Sequence, residues 1–166
     1  MNTGMARLRF MLGEWHVEAH VMDESNQWLS IPLPDETTIV PMLDGACHRE
    51  EMPVFFDGSV SRLFFSWSYD NYRKLYRMVS CDDSEGLMAV LEGNFTEGTD
   101  TVVINDVHTG SAVVDEAGLV VFFRQLASSK TSADSFTDIV SESYDGGQTW
   151  LPVFRAVHTR KNDPRL

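Results

Sequence analysis

The chain has 166 residues, 43% of them hydrophobic and 23% charged, ordinary usage for one globular domain with a real core and far from the composition of a disordered chain. Lys+Arg 13 against Asp+Glu 25 gives a net charge of -12, a surface that repels phosphate backbones and anionic headgroups and so argues against nucleic-acid or membrane partners. The only basic cluster, Arg160, Lys161 and Arg165 in the tail, is too small to reverse that balance.

The first dozen residues carry Arg7 and Arg9 inside their apolar stretch and offer no small-residue cleavage site, so they do not read as a secretory signal. No stretch approaches the length of a membrane-spanning helix. Cys47 and Cys81 are far apart and lack CxxC spacing. They are expected to be free thiols in a reducing, cytoplasmic compartment, with a structural disulfide as the alternative.

Residues 5–11 (MARLRFM) combine helix formers with an apolar face at Met5, Leu8 and Leu12, and Gly13 stops the pattern. This predicts a short N-terminal helix placed to plug one end of a barrel. The period then changes to two: Trp15, Val17, Ala19 and Val21 alternate with His16, Glu18 and His20. Residues 23–35 hold Asn26, Pro32 and Pro34 and predict a long loop, of the kind that covers a barrel mouth. Strands are expected at 36–43 and 46–56 around an Asp44-Gly45 turn, with Pro41 and Pro53 marking edges or bulges. Further strands follow at 61–69, 72–80, 87–95 and 101–107, separated by Asp57-Gly58, Asp70-Asn71, a polar 82–86 turn and Glu97-Gly98. A short stretch at 111–114 leads to a strand at 119–126, a Ser/Thr-rich loop at 127–132, and a final hairpin of 134–144 and 150–159.

Strands at this spacing without intervening helices mean an all-β fold. Sequential hairpins predict a single-domain antiparallel up-and-down barrel of about ten strands, because closure removes the edges an open sheet would expose.

Phe10-Met11-Leu12-Gly13-Glu14-Trp15 resembles the GxW opening of lipocalins and wider calycin barrels, in which the tryptophan packs across the closed end. Leu43-Asp44-Gly45, Tyr69-Asp70-Asn71-Tyr72-Arg73-Lys74-Leu75-Tyr76, Leu91-Glu92-Gly93-Asn94-Phe95 and His158-Thr159-Arg160-Lys161 follow in that order. Together they resemble a bacterial family of lipocalin-like barrels whose function is unassigned. The resemblance implies a ten-stranded calycin-type barrel and brings no settled reaction or catalytic residues. Nitrobindin-like haem barrels open with GxWxGxG, whereas Val17 and Ala19 replace both later glycines here. That family ligates haem through a histidine near the C-terminal strand, a place His158 occupies.

Three constellations invite chemistry. His16, Glu18 and His20 share a strand face, but residues four apart on a strand are separated by roughly 13 Å. Two such histidines cannot grip one zinc at about 2 Å, so a solvated polar face is expected and no metal. Ser143-Tyr144-Asp145-Gly146-Gly147-Gln148-Thr149-Trp150 fits a single SxDxGxxW Asp-box, here expected to be a hairpin device. Arg77, Arg124 and Arg155 each sit two residues from apolar neighbours on one strand face. They either clamp a ligand's anionic head from inside, with Tyr69, Tyr76 or Tyr144 supplying a hydroxyl, or pair structurally with Glu92, Asp138 or Glu142; structural pairing is favoured.

Catalysis has the least support: no nucleophile elbow, Walker loop or dinucleotide fingerprint is present. Cys47 and His48 are adjacent on a strand and therefore point to opposite faces. The expected function is non-covalent binding of a small apolar or amphipathic ligand, with Trp67, Tyr76, Arg77, Arg124, Arg155 and His158 as candidate ligand-binding residues and no cofactor. The alternatives are a haem barrel using His158 and a filled barrel acting as an interaction module. Both strand faces are apolar between Leu63 and Tyr69, which points to an outward patch that a second copy, in a homodimer, would cover.

Overall fold

The computed structural model describes residues 4–56, 58–84 and 86–161. Asp57 of the expected Asp57-Gly58 turn, Glu85 of the 82–86 turn and Arg165 of the basic tail lie outside the described residues. After a 3-10 helix at Gly4–Met11 come β1 (Gly13–Met22), β2 (Trp28–Ile31), β3 (Glu36–Met42), β4 (Cys47–Phe56), β5 (Ser59–Asp70) and β6 (Leu75–Asp82). The chain continues through β7 (Met88–Phe95), β8 (Thr101–Asn105), β9 (Val113–Val114), β10 (Val120–Lys130), β11 (Ser135–Ser143) and β12 (Leu151–Arg160).

The ladder order is β11-β12-β1-β3-β4-β5-β6-β7-β8-β10, and β10 pairs back to β11. All pairings are antiparallel, so the sheet is a closed ten-strand barrel built almost entirely from neighbouring hairpins. No helix among the described residues is long and apolar enough to cross a membrane.

Local chemistry explains most boundaries. The Asp70 carboxylate accepts the backbone N–H groups of Tyr72 and Arg73 and the Arg73 guanidinium, at 2.8, 3.0 and 2.8 Å. These bonds hold its pKa down to about 2 and keep residues 71–74 in the turn, which delays β6 to Leu75. Pro53 lies beyond the last β3 partner of β4, Glu50, where its missing N–H leaves no ladder bond unmade.

Two expectations need correction. Residues 23–35 are not a free loop: after an Asp23-bonded turn, Trp28–Ile31 pairs with Ala19–Met22 and prolongs the β3 side of β1. Trp-Leu-Ser-Ile suits a strand, and only Pro32 and Pro34 separate it from β3. Residues 127–130 are likewise strand, because β8 and β11 flank β10 and supply partners on both edges. Tertiary hydrogen bonding overrides the weak local preference of a Ser/Thr-rich run.

The N-terminal helix plugs one end. Met5, Leu8 and Met11 are buried against Trp15, which is 0% exposed. The Trp15 indole N–H donates to the Met11 carbonyl at 2.8 Å, and Phe136 meets its ring edge-on at 4.9 Å between centroids. The Arg160 guanidinium lies 4.3 Å over the indole and donates to the Leu12 carbonyl. The Tyr76 hydroxyl ties the helix start down by donating to the Gly4 carbonyl at 2.8 Å. Trp15→Ala is expected to cost about 3–5 kcal/mol, because the plug and the barrel end both lose their central contact. Trp15→Phe keeps most of the burial and leaves the Met11 carbonyl unpaired, an expected cost of about 1–2 kcal/mol. Guanidinium unfolding of both variants checks the order, and equal small losses would contradict it.

Candidate functional site

Strand alternation and register together assign every side chain to the lumen or to solvent. On β1 the inward set is Trp15, Val17, Ala19 and Val21; on β4 it is His48, Glu50, Met52 and Val54. Cross-strand pairs carry the assignment around the ring: Glu50 faces Phe65, Trp67 faces Met78, Met78 faces Leu91, and Leu126 faces Ile104 and Val140.

The two halves of the lumen differ. Near the plug the inward side chains Trp15, Trp67, Tyr76, Val102, Phe136 and His158 are all buried. Toward the other end Val21, Met52, Leu63, Ser80, Arg124, Val140 and Phe154 keep part of their surface accessible. The inward side chains are therefore closely packed at the helix end and more loosely covered at the other, where Val54 and Asp106 are still buried.

Between these halves lie two carboxylates. Glu50 on β4 is 7% exposed, and its Oε1 accepts the Thr37 hydroxyl at 2.7 Å. Asp138 on β11 stands opposite Ser128 in the β10 ladder and Ala156 in the β12 ladder, all three facing inward. Desolvation raises both groups to about 7; the Thr37 bond opposes this for Glu50 and the charge of Asp138 adds to it. Ser128 is close enough to favour the ionised Asp138, yet neither Asp138 Oδ1 nor Ser128 Oγ closes a hydrogen bond of good geometry. His48, two residues before Glu50, is buried with Nδ1 unpartnered, and desolvation with the nearby Arg9 charge lowers it to about 4.

At the open end Asp106 accepts the Arg124 backbone N–H at 2.8 Å, and burial raises its pKa. The Arg124 side chain faces inward beside Phe122, across from Glu142, whose Oε2 accepts the Tyr144 hydroxyl at 2.6 Å.

The structure thus separates the six candidate ligand-binding residues. Trp67, Tyr76 and His158 face inward but belong to the packed plug; Arg124 faces inward at the mouth. Arg77 points outward and pairs with Glu92 at 3.3 Å between Nε and Oε2. Arg155 also points outward, opposite His20 and Ile139, with its guanidinium 4.8 Å over the Trp28 ring. An inward three-arginine clamp is therefore not formed, because Leu75, Val79, Val153 and Val157 lie on the outer face.

His158 is 1% exposed, its ring stacked on Phe136 at 3.9 Å and edge-on to Trp15. Neither ring nitrogen has a hydrogen-bond partner, and desolvation lowers its pKa to about 4. A free nitrogen suits ligation, but an imidazole that solvent cannot touch has no porphyrin-sized space beside it. The residues around His158 do not fit haem.

His16 and Glu18 are exposed, and no group of three or more His, Cys, Asp or Glu suited to a metal occurs among the described residues. Asp145 accepts the Gln148 and Thr149 backbone N–H groups and the Thr149 hydroxyl, while Gly146 and Gly147 take φ of 78° and 86°. That is the expected hairpin device. Cys47 and Cys81 are free thiols. A groove of about 430 Å³ lined by Arg9, Asp44 and His48 lies beside the helix.

No protein-family model matches the chain, and no curated protein matches it in sequence. The site rests on geometry alone.

Glu50 and Asp138 carried a signal in the sequence. Met52 and Val54 follow Glu50 at strand period, and Phe136 and Val140 flank Asp138. A carboxylate that shares a face with apolar neighbours on a closed barrel is inward or paired, the same argument applied above to the arginines.

Raised carboxylates make folding stability pH-dependent. A folded pKa above the unfolded one contributes stability below the unfolded value and loses it as pH rises through the folded value. Glu50→Gln mimics the protonated form, so it should match the parent below about pH 4.5 and exceed it by about 1–3 kcal/mol above pH 7. His48 and His158, lowered to about 4, act in the opposite sense between pH 6.5 and 4 and cancel in this comparison. Urea unfolding across pH 4–8 measures the gap; a gap independent of pH would contradict a desolvated Glu50.

Proposed function

We propose that the chain is a lipocalin-like barrel of the calycin type that holds a small apolar or amphipathic molecule non-covalently in the open half of its lumen. One observation carries this: inward apolar side chains that are buried at the plug give way toward the other end to Val21, Met52, Leu63, Val140 and Phe154, which are only partly covered, while Val54 is buried. A ligand there would cover apolar surface that the chain itself does not cover. The acidic surface and two free thiols support a cytoplasmic protein whose partner is a small molecule and not nucleic acid or membrane.

A second function draws on Glu50 and Asp138, whose pKa values near 7 suit proton transfer. It requires turnover that Glu50→Gln abolishes, and a screen of small ester and carbonyl substrates with that variant as control tests it.

Native mass spectrometry of the protein from its own host, compared with the denatured mass, tests the container directly. A releasable adduct is expected. Val140→Phe narrows the lumen at an expected stability cost of about 1–3 kcal/mol and should lower occupancy at least about tenfold. Arg77→Ala and Arg155→Ala, on the outer face, should leave occupancy unchanged. Equal occupancy in Val140→Phe would place the ligand outside the lumen.

A further inference from the structure

We propose that Glu50 and Asp138 are the polar anchor of the lumen and take the ammonium group of an amphipathic amine, an inference that rests on the barrel being a ligand container. The two carboxylates come from well-separated parts of the ring: β12, β1 and β3 intervene between β11 and β4 on the ladder, and both side chains point inward. Thr37 occupies one oxygen of Glu50. Asp138 Oδ1 is buried without a hydrogen-bond partner, and so is the hydroxyl of Ser128, which is 1% exposed and faces Asp138 across the ladder. Buried polar atoms without partners are uncommon and costly, and because Ser128, the nearest hydroxyl, closes no bond of good geometry to Asp138, the carboxylate oxygen has room for a further donor. An ammonium brings three donors and the complementary charge.

The rest of the inner wall selects the same class. Asp82, Asp106 and Glu142 also lie on inward positions toward the mouth, where Arg124 is the one inward strand cation among the described residues, Arg160 and Lys130 standing at the plug end. That balance makes the lumen negative, which repels a carboxylate head, draws in an ammonium and leaves a neutral head without electrostatic gain. Phe65, Met78 and Leu126 flank the carboxylates and Val140 and Phe154 lead outward, an apolar path for the alkyl chain.

Calorimetric titration of the full chain at pH 8 with octylamine, 1-octanol and octanoate tests both levels. Octylamine is expected to bind at least about tenfold more tightly than 1-octanol, with octanoate weakest. The Glu50→Gln/Asp138→Asn double variant should lose that preference while keeping its affinity for 1-octanol; circular dichroism and the retained octanol binding establish that it is folded. Octylamine no tighter than 1-octanol, or a preference that survives in the double variant, would overturn the anchor and leave the container standing. Binding of none of the three would overturn the container and the anchor together.

Discussion

The pairing of β1 with β12, the ladder that joins the first strand to the last, is the constraint on which the molecule depends. Until that seam closes, a meander of strands with apolar residues on both faces has no defined inside. Once seven residue pairs from Trp15↔Arg160 to Val21↔Phe154 are made, the register fixes which strand residues face the lumen. A slip of one residue in β12 would turn His158, Ala156 and Phe154 outward and bring Val157 and Arg155 in. The seam also closes the ten-strand ring, leaving the short β2 and β9 as the strands paired along one edge only.

Closure leaves a lumen, and the chain treats its two ends differently. At the helix end it packs aromatics edge to face: Phe10 on Phe136, Trp15 on Phe136, Tyr69 on Tyr76 and Tyr76 on Phe95. Each ring fills volume, and the polar tips of Trp15 and Tyr76 each donate to a backbone carbonyl. Past the middle of the barrel most inward side chains are only partly covered, and two carboxylates stand at the boundary. Removing a carboxylate from water costs several kcal/mol unless it is paired or neutral, and no cation on the inner wall bonds either of them. Burial holds both groups protonated well above the usual carboxylate range, to about pH 7.

Most of the fold was legible in the sequence because its signals are local. Strand alternation, Asp-Gly and Asp-Asn turns and the Gly13-x-Trp15 opening each act within a few residues, and the structure follows them. The misses are places where a distant neighbour decides. Trp28–Ile31 becomes a strand because the second half of β1 offers an unpaired edge, and residues 127–130 remain strand because partners flank both sides. The site was harder for the same reason. Arg77, Arg124 and Arg155 look alike on their strands, yet only Arg124 points inward, and nothing within five residues distinguishes it. Glu50 and Asp138 were legible in type, as carboxylates among apolar neighbours. That both face the same lumen depends on closure of the barrel.

The most direct test is a carbon-13 NMR titration of the Glu50 and Asp138 side-chain carboxyls in the intact protein, assigned with Glu50→Gln and Asp138→Asn. Desolvated inward carboxylates predict that both groups titrate close to pH 7, well above exposed glutamates and aspartates in the same spectrum. Midpoints below pH 5 for both would mean that water or a cation reaches them freely. The boundary between the filled and open halves of the barrel would then not be a dry, proton-holding site.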